Sequence, residues 1–326
     1  MRRVSPRTVV LVLLLVAPLV ALMASPWRND GTLVYLGMLP AGVGLLVGRG
    51  AALVAGPLTA LCMAVGVSLS DRPLAGAVLM AVLGACVGFS AVRGWHGVGG
   101  FVGPQTAFAL VGGPLVTLPT GTVSPSTSLG ALAAMAGWVA FGGLWTALVG
   151  GALTRGMRLP GPRPVPERAA TYFGLALAVL AGGGTYVAMG WADSPNAWWL
   201  LLTLFVVVQP YFAATLSRTA ARVGGTLAGA VLAGAVAHSV SGFPVVLSVV
   251  TLVLTGAAGW AYLRRPYWVF TLFLTPAVIL QTSGSEELVL AADLDRVVFT
   301  VGAAAVAVAV LALGHRVLVS RTRAPA

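Results

Sequence analysis

Arginines at the start of apolar segments are the residues of this chain best suited to chemistry. Arg218 and Arg222 lie four residues apart and share one helical face if a helix continues through them, and Thr226 follows one turn later. Guanidinium and hydroxyl groups donate hydrogen bonds, so this spacing predicts a cationic mouth that attracts an anion. The alternative is that the arginines are anchors that fix the orientation of the chain in a membrane.

The same arginine–threonine spacing occurs again near the end of the chain. The segment RVGGTLAGA, which begins at Arg222, resembles RVVFTVGAA, which begins at Arg296, and Thr226 and Thr300 occupy the same place in them. Each follows an aromatic-led segment, AWWLLLTLFVVVQPY and PYWVFTLFLTPAVIL respectively. The copies lie three predicted spans apart, so they would cross a membrane in opposite directions. This predicts an inverted three-helix repeat, a feature of secondary transporters; chance recurrence in sequence rich in glycine, alanine and valine is the alternative.

A proline inside an apolar span adds a further polar group. Pro210 cannot donate a backbone hydrogen bond, so the carbonyl that it frees and the neighbouring Gln209 amide are expected to face protein or a wet cavity. We predict Gln209 and Thr226 as neutral donors to the anion, beyond the two arginines of the inner mouth. Arg296, with Thr300, is predicted as their counterpart at the outer mouth.

Two pairs of residues nearby predict packing rather than binding. Gly225 and Gly229 have the spacing at which two helices pack closely. Trp198 and Trp199 begin a span, which predicts an aromatic anchor among lipid headgroups, with stacking on an aromatic substrate as the alternative.

Motifs of enzymes and metal proteins are absent from the sequence. Aspartate and glutamate occur only between the predicted spans or at their ends, and neither a Walker motif nor an HExxH or GxSxG motif is present. The cysteines, Cys62 and Cys86, form no metal-binding motif with histidine. We therefore predict no enzymatic activity, no catalytic residue, no cofactor and no metal.

The composition places the chain in a membrane. Of its 326 residues 58% are hydrophobic and only 8% are charged, whereas soluble domains carry about 25% charged residues. The net charge of +11 comes from arginines in short gaps between apolar runs, which is typical of membrane topology and not of a nucleic-acid partner. Continuous apolar runs of sufficient length predict an all-α, polytopic bundle of about 12 spans.

The predicted spans are 8–25, 32–48, 51–70, 73–92, 98–118, 129–153, 169–190, 197–216, 223–241, 244–263, 266–281 and 297–315. On this topology every arginine except Arg28, Arg72 and Arg296 falls on one side, and every acid except Glu167 on the other. The positive-inside rule then predicts a bacterial inner-membrane protein with both termini in the cytoplasm. Residues 1–25 are predicted as a retained span, with a cleaved signal peptide as the alternative.

A proline- and arginine-rich segment divides the predicted spans equally. Residues 154–168, TRGMRLPGPRPVPER, are predicted as an extended cytoplasmic linker. It separates a six-helix N-terminal half (1–153) from a six-helix C-terminal half (169–326), in which the inverted repeat is predicted.

The C-terminal half resembles a known family. An aromatic start, then QP, then ATLSRTAARVGGTLAGA is similar to the signature of the fusaric acid resistance / aromatic acid exporter (FUSC-like) family. The matching positions are Trp198 or Trp199, Gln209, Pro210, Ala214, Thr215, Leu216, Arg218, Arg222, Gly225, Thr226 and Gly229, and later Arg296, Thr300 and Gly302. Ala213 replaces the family's usual glycine, and the 154–168 linker stands where many members have a large cytoplasmic domain.

The resemblance implies membrane export of small aromatic or other organic acids; related plant members are organic-anion channels. We therefore predict a transporter that exports small organic anions, with aromatic carboxylates as the favoured class, driven by the proton-motive force or the membrane potential. An oligomeric organic-anion channel and a non-transporting scaffold subunit of cell-envelope machinery remain open as alternatives. The predicted partners are the anion, membrane lipids and a second copy in a homo-oligomer, with no nucleic acid.

Overall fold

The computed structural model describes residues 6–23, 25–27, 30–113, 115–117, 123–125, 128–157, 161, 163–192, 194–240, 243–282 and 286–322. Within these ranges the chain forms twelve α-helices and one short hairpin. The helices are α1 (Pro6–Met23), α2 (Asp30–Val47), α3 (Arg49–Ser68), α4 (Pro73–Ala91), α5 (His96–Ala107), α6 (Leu129–Leu153), α7 (Glu167–Gly190), α8 (Trp198–Val207), α9 (Phe212–Val240), α10 (Pro244–Arg264), α11 (Tyr267–Thr282) and α12 (Glu286–Thr322). The antiparallel strands are β1 (Leu115–Thr117) and β2 (Val123–Pro125).

Seven helical stretches of the described chain are long and apolar enough to cross a membrane. They lie in α2, α3, α4, α6, α7, α9 and α12. Shorter apolar stretches, of 10–17 residues, lie in α1, α8, α10 and α11. The predicted helical membrane architecture is confirmed, and about 12 membrane crossings remain a prediction. The topology-marking residues Arg2, Arg3, Arg28, Arg158, Asp193 and Arg323 lie outside the described ranges.

The chain folds as two compact units, residues 1–198 and residues 199–326. In the first unit, α4 packs on α7, and α6 packs on α2 and α3. Small residues allow these close contacts: a methyl group added at Gly84 would lie 2.8 Å from the backbone nitrogen of Ala178, and one at Gly56 would lie 2.6 Å from the Cα of Gly143. The glycine-rich sequence thus becomes a set of close helix pairs.

The described part of the predicted linker docks on the first unit. The backbone N–H of Val165 donates to the carbonyl of Ala91 at 3.0 Å, and the Val165 side chain is buried. Pro166 follows in an extended conformation and precedes the first turn of α7.

The second unit is organised around α9, which packs against α11 and α12, while α10 packs on α11. The boundary between α8 and α9 differs from the sequence prediction, which placed a gap between spans 197–216 and 223–241. The helix instead breaks at residues 208–211 and then continues without interruption from Phe212 to Val240. Pro210 explains the earlier break because it has no N–H to donate to the preceding turn.

Candidate anion site

The helix break before α9 is stabilised by the side chains of Gln209 and Thr215. The Gln209 amide Nε2 donates to the carbonyls of Val206 and Val208, at 3.0 Å each. Val206 is the residue four before Pro210, so the glutamine amide replaces the backbone bond that the proline cannot make. The Gln209 backbone N–H donates to Thr215 Oγ1 at 3.0 Å. Gln209 therefore supports the break in this structure, and its role as a donor to the anion stays a prediction.

The face of α9 that carries the predicted site is buried. Arg222 is 1% exposed and Thr226 is 1% exposed, and Gly225 and Gly229 are buried on the same face. The helix is continuous through Arg218, so the condition for a shared face is met. This face combines two arginines with the glycine pair.

Within the described chain, the Nε and Nη2 atoms of Arg222 are buried and have no hydrogen-bond partner. These two nitrogens form one edge of the guanidinium, and their N–H groups can donate in parallel to both oxygens of a carboxylate. A buried charge without a partner is strongly destabilising. The edge of Arg222 is therefore suited to a bidentate oxyanion.

The glycine pair brings α11 against this face, which confirms the predicted close packing. A methyl group at Gly225 would lie 2.7 Å from the carbonyl oxygen of Trp268, and one at Gly229 would lie 2.7 Å from Thr275 Cβ. Thr271 Oγ1 also donates across the interface to the carbonyl of Ala221 at 3.2 Å. The contacts advance along both helices together, so α9 and α11 run parallel at this interface.

Two hydroxyl groups at the α9–α11 interface share the condition of Arg222. Thr226 and Thr275 are 1% and 0% exposed. Among the described residues, neither Oγ1 atom has a hydrogen-bond partner. Arg222, Thr226 and Thr275 thus each have unused hydrogen-bonding capacity, and each of them can donate to an anion.

Arg218 is held differently from Arg222. Its Cζ atom lies 3.7 Å from the centroid of the Tyr267 ring, within the range of a cation–π interaction. Tyr267 in turn packs against Phe270, with the ring centroids 5.7 Å apart. The first arginine of the predicted mouth is thus anchored on an aromatic ring of α11.

Arg296 and Thr300 lie at a second interface, between α12 and α8. Arg296 is fully buried, with its Cζ atom 3.9 Å from the centroid of Trp199. The hydroxyl of Thr203 donates to that of Thr300 over 3.4 Å, and both side chains are buried. Trp199 pairs with Arg296 and Thr203 with Thr300, so α8 and α12 also run parallel.

The tryptophan pair is not at a lipid surface. Trp198 is 8% exposed and Trp199 is 3% exposed, because Trp198 packs edge-on against Phe108 and Trp199 lies under Arg296. The prediction of a headgroup anchor is therefore wrong for these residues. An aromatic residue at a span end looks the same in sequence whether it faces lipid or an arginine from a distant helix.

Sequence reasoning did not select Trp199, Thr203, Tyr267 or Thr275 as site residues. A signal was present, because the triplet Thr-Leu-Phe occurs in both aromatic-led segments, at 203–205 and at 271–273. Aligning these triplets places Thr203 with Thr271 and Trp199 with Tyr267. Each of these residues faces an arginine–threonine helix in the structure.

The apolar helices and the buried arginine–threonine faces define a multi-span helical membrane protein, an arrangement consistent with a transporter. Residues 180–310 match the model of the family described as fusaric acid resistance protein-like, which confirms the resemblance to the FUSC-like family seen in the motifs. The matched residues include every predicted site residue. No curated protein and no solved structure matches the chain.

Proposed function

We propose that this protein exports small organic anions across a bacterial inner membrane, and that aromatic carboxylates are the favoured class. The observation that carries the proposal is the buried edge of Arg222 on α9, whose Nε and Nη2 atoms have no hydrogen-bond partner among the described residues. Ionisable groups inside membrane proteins are costly and usually lie on the path of a substrate or ion. A carboxylate that binds this edge supplies the missing counter-charge and accepts both hydrogen bonds.

The proposed roles follow the positions of the side chains. Arg218 and Arg222 attract the anion at the cytoplasmic mouth, and Thr226 donates to it one turn further along α9. Arg296 and Thr300 are the counterparts at the outer mouth. The break at Gln209 supports this proposal, since transporters often place broken helices beside the substrate.

The inverted repeat is part of the proposal and is supported by the way the helices pair. In the first copy α8 precedes α9, and in the second α11 precedes α12. Each aromatic-led helix packs on the arginine–threonine helix of the other copy: α11 on α9, and α8 on α12 through Thr203 and Thr300. A two-fold pseudo-axis that relates the two copies produces two parallel pairs of this kind, each with one helix from either copy.

The driving force requires no acidic residue within a span. With both termini in the cytoplasm, the interior-negative potential favours exit of a monoanion by about 2.3 kcal/mol per 100 mV. Export can therefore proceed as potential-driven secondary transport, and coupling to the proton gradient would add to this force.

The test is flux of labelled benzoate from proteoliposomes that contain the purified protein. We expect saturable, potential-dependent flux, and a loss of about tenfold or more for Arg222→Gln, because a hydrogen-bonded charge contributes about 1.5–3 kcal/mol. The matched control is Arg264→Gln, which removes an exposed arginine at the end of α10 and should leave flux unchanged.

Three outcomes contradict parts of this proposal. Absence of flux for benzoate and for a panel of other organic anions, with the protein folded, would refute transport and favour a scaffold. Conductance that does not saturate would indicate a channel. Flux that Arg222→Gln leaves unchanged would reduce Arg222 to an anchor that sets membrane orientation.

A further inference from the structure

The contact between Arg218 and Tyr267 brings together two groups whose hydrogen-bonding capacity is unused. The Cζ atom of Arg218 lies over the Tyr267 ring, 3.7 Å from its centroid. Within the described chain, the Arg218 Nε atom and the Tyr267 hydroxyl oxygen are both buried and have no hydrogen-bond partner. The hydroxyl is bonded directly to the ring that the guanidinium covers, so the two groups lie within a few ångströms of each other.

The chemistry of these two groups defines the ligand that they can hold. An arginine side chain only donates hydrogen bonds, and the Tyr267 hydroxyl does not accept one from it. Among the described residues, Arg218 also has no ion-pair partner. A ligand that uses both groups must therefore supply acceptor oxygens and a negative charge. A carboxylate does so, because each of its two oxygens can accept from one of the donors.

The hydroxyl group is not needed to hold the arginine on the ring. Tyr267 aligns with Trp199, whose ring lies 3.9 Å from the Cζ atom of Arg296 and carries no hydroxyl. The ring alone provides a cation–π interaction. Burying a hydroxyl without a partner costs free energy. Tyr267 thus carries a buried polar group that stacking does not require and that a ligand can use.

Neighbouring aromatic rings hold Tyr267 in place. Its ring centroid lies 5.7 Å from that of Phe270, which lies 5.0 Å from that of Tyr262 on α10. Tyr267 is the first residue of α11, and Arg218 lies near the start of α9, which runs parallel to α11. The two donors therefore lie at one end of the α9–α11 interface, the end predicted to be the cytoplasmic mouth.

We infer that the Tyr267 hydroxyl is a direct donor to the carboxylate of the anion, beside Arg218. The inference rests on the proposed function and deepens it, because it adds a specificity-determining residue to the mouth. One carboxylate oxygen accepts from Arg218 Nε, and the other accepts from the Tyr267 hydroxyl. The ring of Tyr267 holds the arginine, and its hydroxyl selects ligands that carry an acceptor.

Two conservative substitutions separate the role of the hydroxyl from that of the ring. Tyr267→Phe keeps the ring and removes a hydroxyl that has no partner among the described residues, so stability without the anion should be unchanged or higher. The matched control is Tyr172→Phe on α7, which removes the hydroxyl of an exposed tyrosine. Under the inference, only Tyr267→Phe weakens anion binding.

The experiment measures benzoate binding to the detergent-solubilised full chain by calorimetry, together with thermal unfolding without benzoate. We expect Tyr267→Phe to raise the benzoate Kd about tenfold, equivalent to about 1.4 kcal/mol, at an unchanged or higher unfolding temperature. Arg218→Gln removes the charge and should raise the Kd at least as much. Tyr172→Phe should leave the Kd unchanged.

Binding and flux separate the possible failures. An unchanged Kd for Tyr267→Phe, an equal rise for Tyr172→Phe, or no benzoate binding by the wild-type protein would overturn the inference. A higher Kd accompanied by a lower unfolding temperature would also overturn it, because the hydroxyl would then be structural. Binding with the expected pattern but without flux in proteoliposomes would support the site and refute transport. Flux that depends on Arg222 but not on Tyr267 would leave the proposed function intact and refute the assignment of Tyr267.

Discussion

The adjacent glycines Gly224 and Gly225 allow a direct test of the close packing of α11 on α9. A methyl group at Gly225 would lie 2.7 Å from the carbonyl oxygen of Trp268 and 2.8 Å from Thr271 Cβ, and it would contact Thr271 Oγ1. Among the described residues, nothing outside the neighbouring turns of α9 lies within 4 Å of a carbon added at Gly224. The two alanine variants are therefore identical in composition and differ only in which face of α9 carries the methyl group.

The expected difference in stability follows from these distances. Alanine in place of glycine favours a helix by up to about 1 kcal/mol at either position. At Gly225 the methyl group meets a backbone carbonyl, which cannot rotate away, and overpacking of this kind costs about 1–3 kcal/mol. Gly224→Ala should therefore be neutral or stabilising. Gly225→Ala should be less stable than Gly224→Ala by about 1–3 kcal/mol.

The free energy of unfolding of both variants can be measured in mixed micelles by titration with a denaturing detergent. Benzoate binding by the same samples reports whether the proposed site at Arg222 is preserved. If Gly225→Ala proves as stable as Gly224→Ala, the close approach of α11 to α9 is incorrect.

Two further predictions concern the anchors of α9. Tyr267→Leu removes the ring under Arg218 and should destabilise the protein by about 0.5–2 kcal/mol. Tyr267→Phe keeps the ring and loses only a buried hydroxyl that has no hydrogen-bond partner among the described residues, so it should not be destabilising. Thermal unfolding compares the two variants, and a less stable Phe variant would contradict the cation–π account. Thr215→Val removes the acceptor of the Gln209 backbone N–H and should lower the free energy of unfolding by about 1–2 kcal/mol, while Thr215→Ser keeps the acceptor and should not. Faster hydrogen exchange of the Gln209 backbone amide is expected only in the Val variant. Equal exchange rates in both variants would refute the role of Thr215 in stabilising the helix break.

The boundary between α8 and α9 is a feature that the sequence pattern predicted at the wrong place. Hydropathy predicted that the chain leaves the membrane interior at Arg218 and Arg222, so the two predicted spans were separated there. The fold instead buries Arg222 inside a continuous helix and breaks the chain at Pro210. An averaged hydropathy treats every arginine as a polar residue. It cannot represent an arginine that neighbouring helices cover and bury.

Features that depend on neighbours in the chain were accessible from the sequence. The length and apolarity of the segments determine that the backbone is helical, because a chain in lipid must satisfy its N–H and C=O groups locally. The Gly225–Gly229 spacing predicted a close helix contact, and the motif from Gln209 to Gly229 indicated the resemblance to the family whose model matches residues 180–310.

Only the tertiary structure decided which distant residues each of two similar segments contacts. Arg222 and Arg296 begin nearly the same local pattern, and both are buried. Their difference comes from partners far away in the chain, such as Thr203 and Thr300, which are 97 residues apart. A hydrogen bond or a ring contact between distant helices depends on how those helices pack, and local sequence patterns do not contain this information.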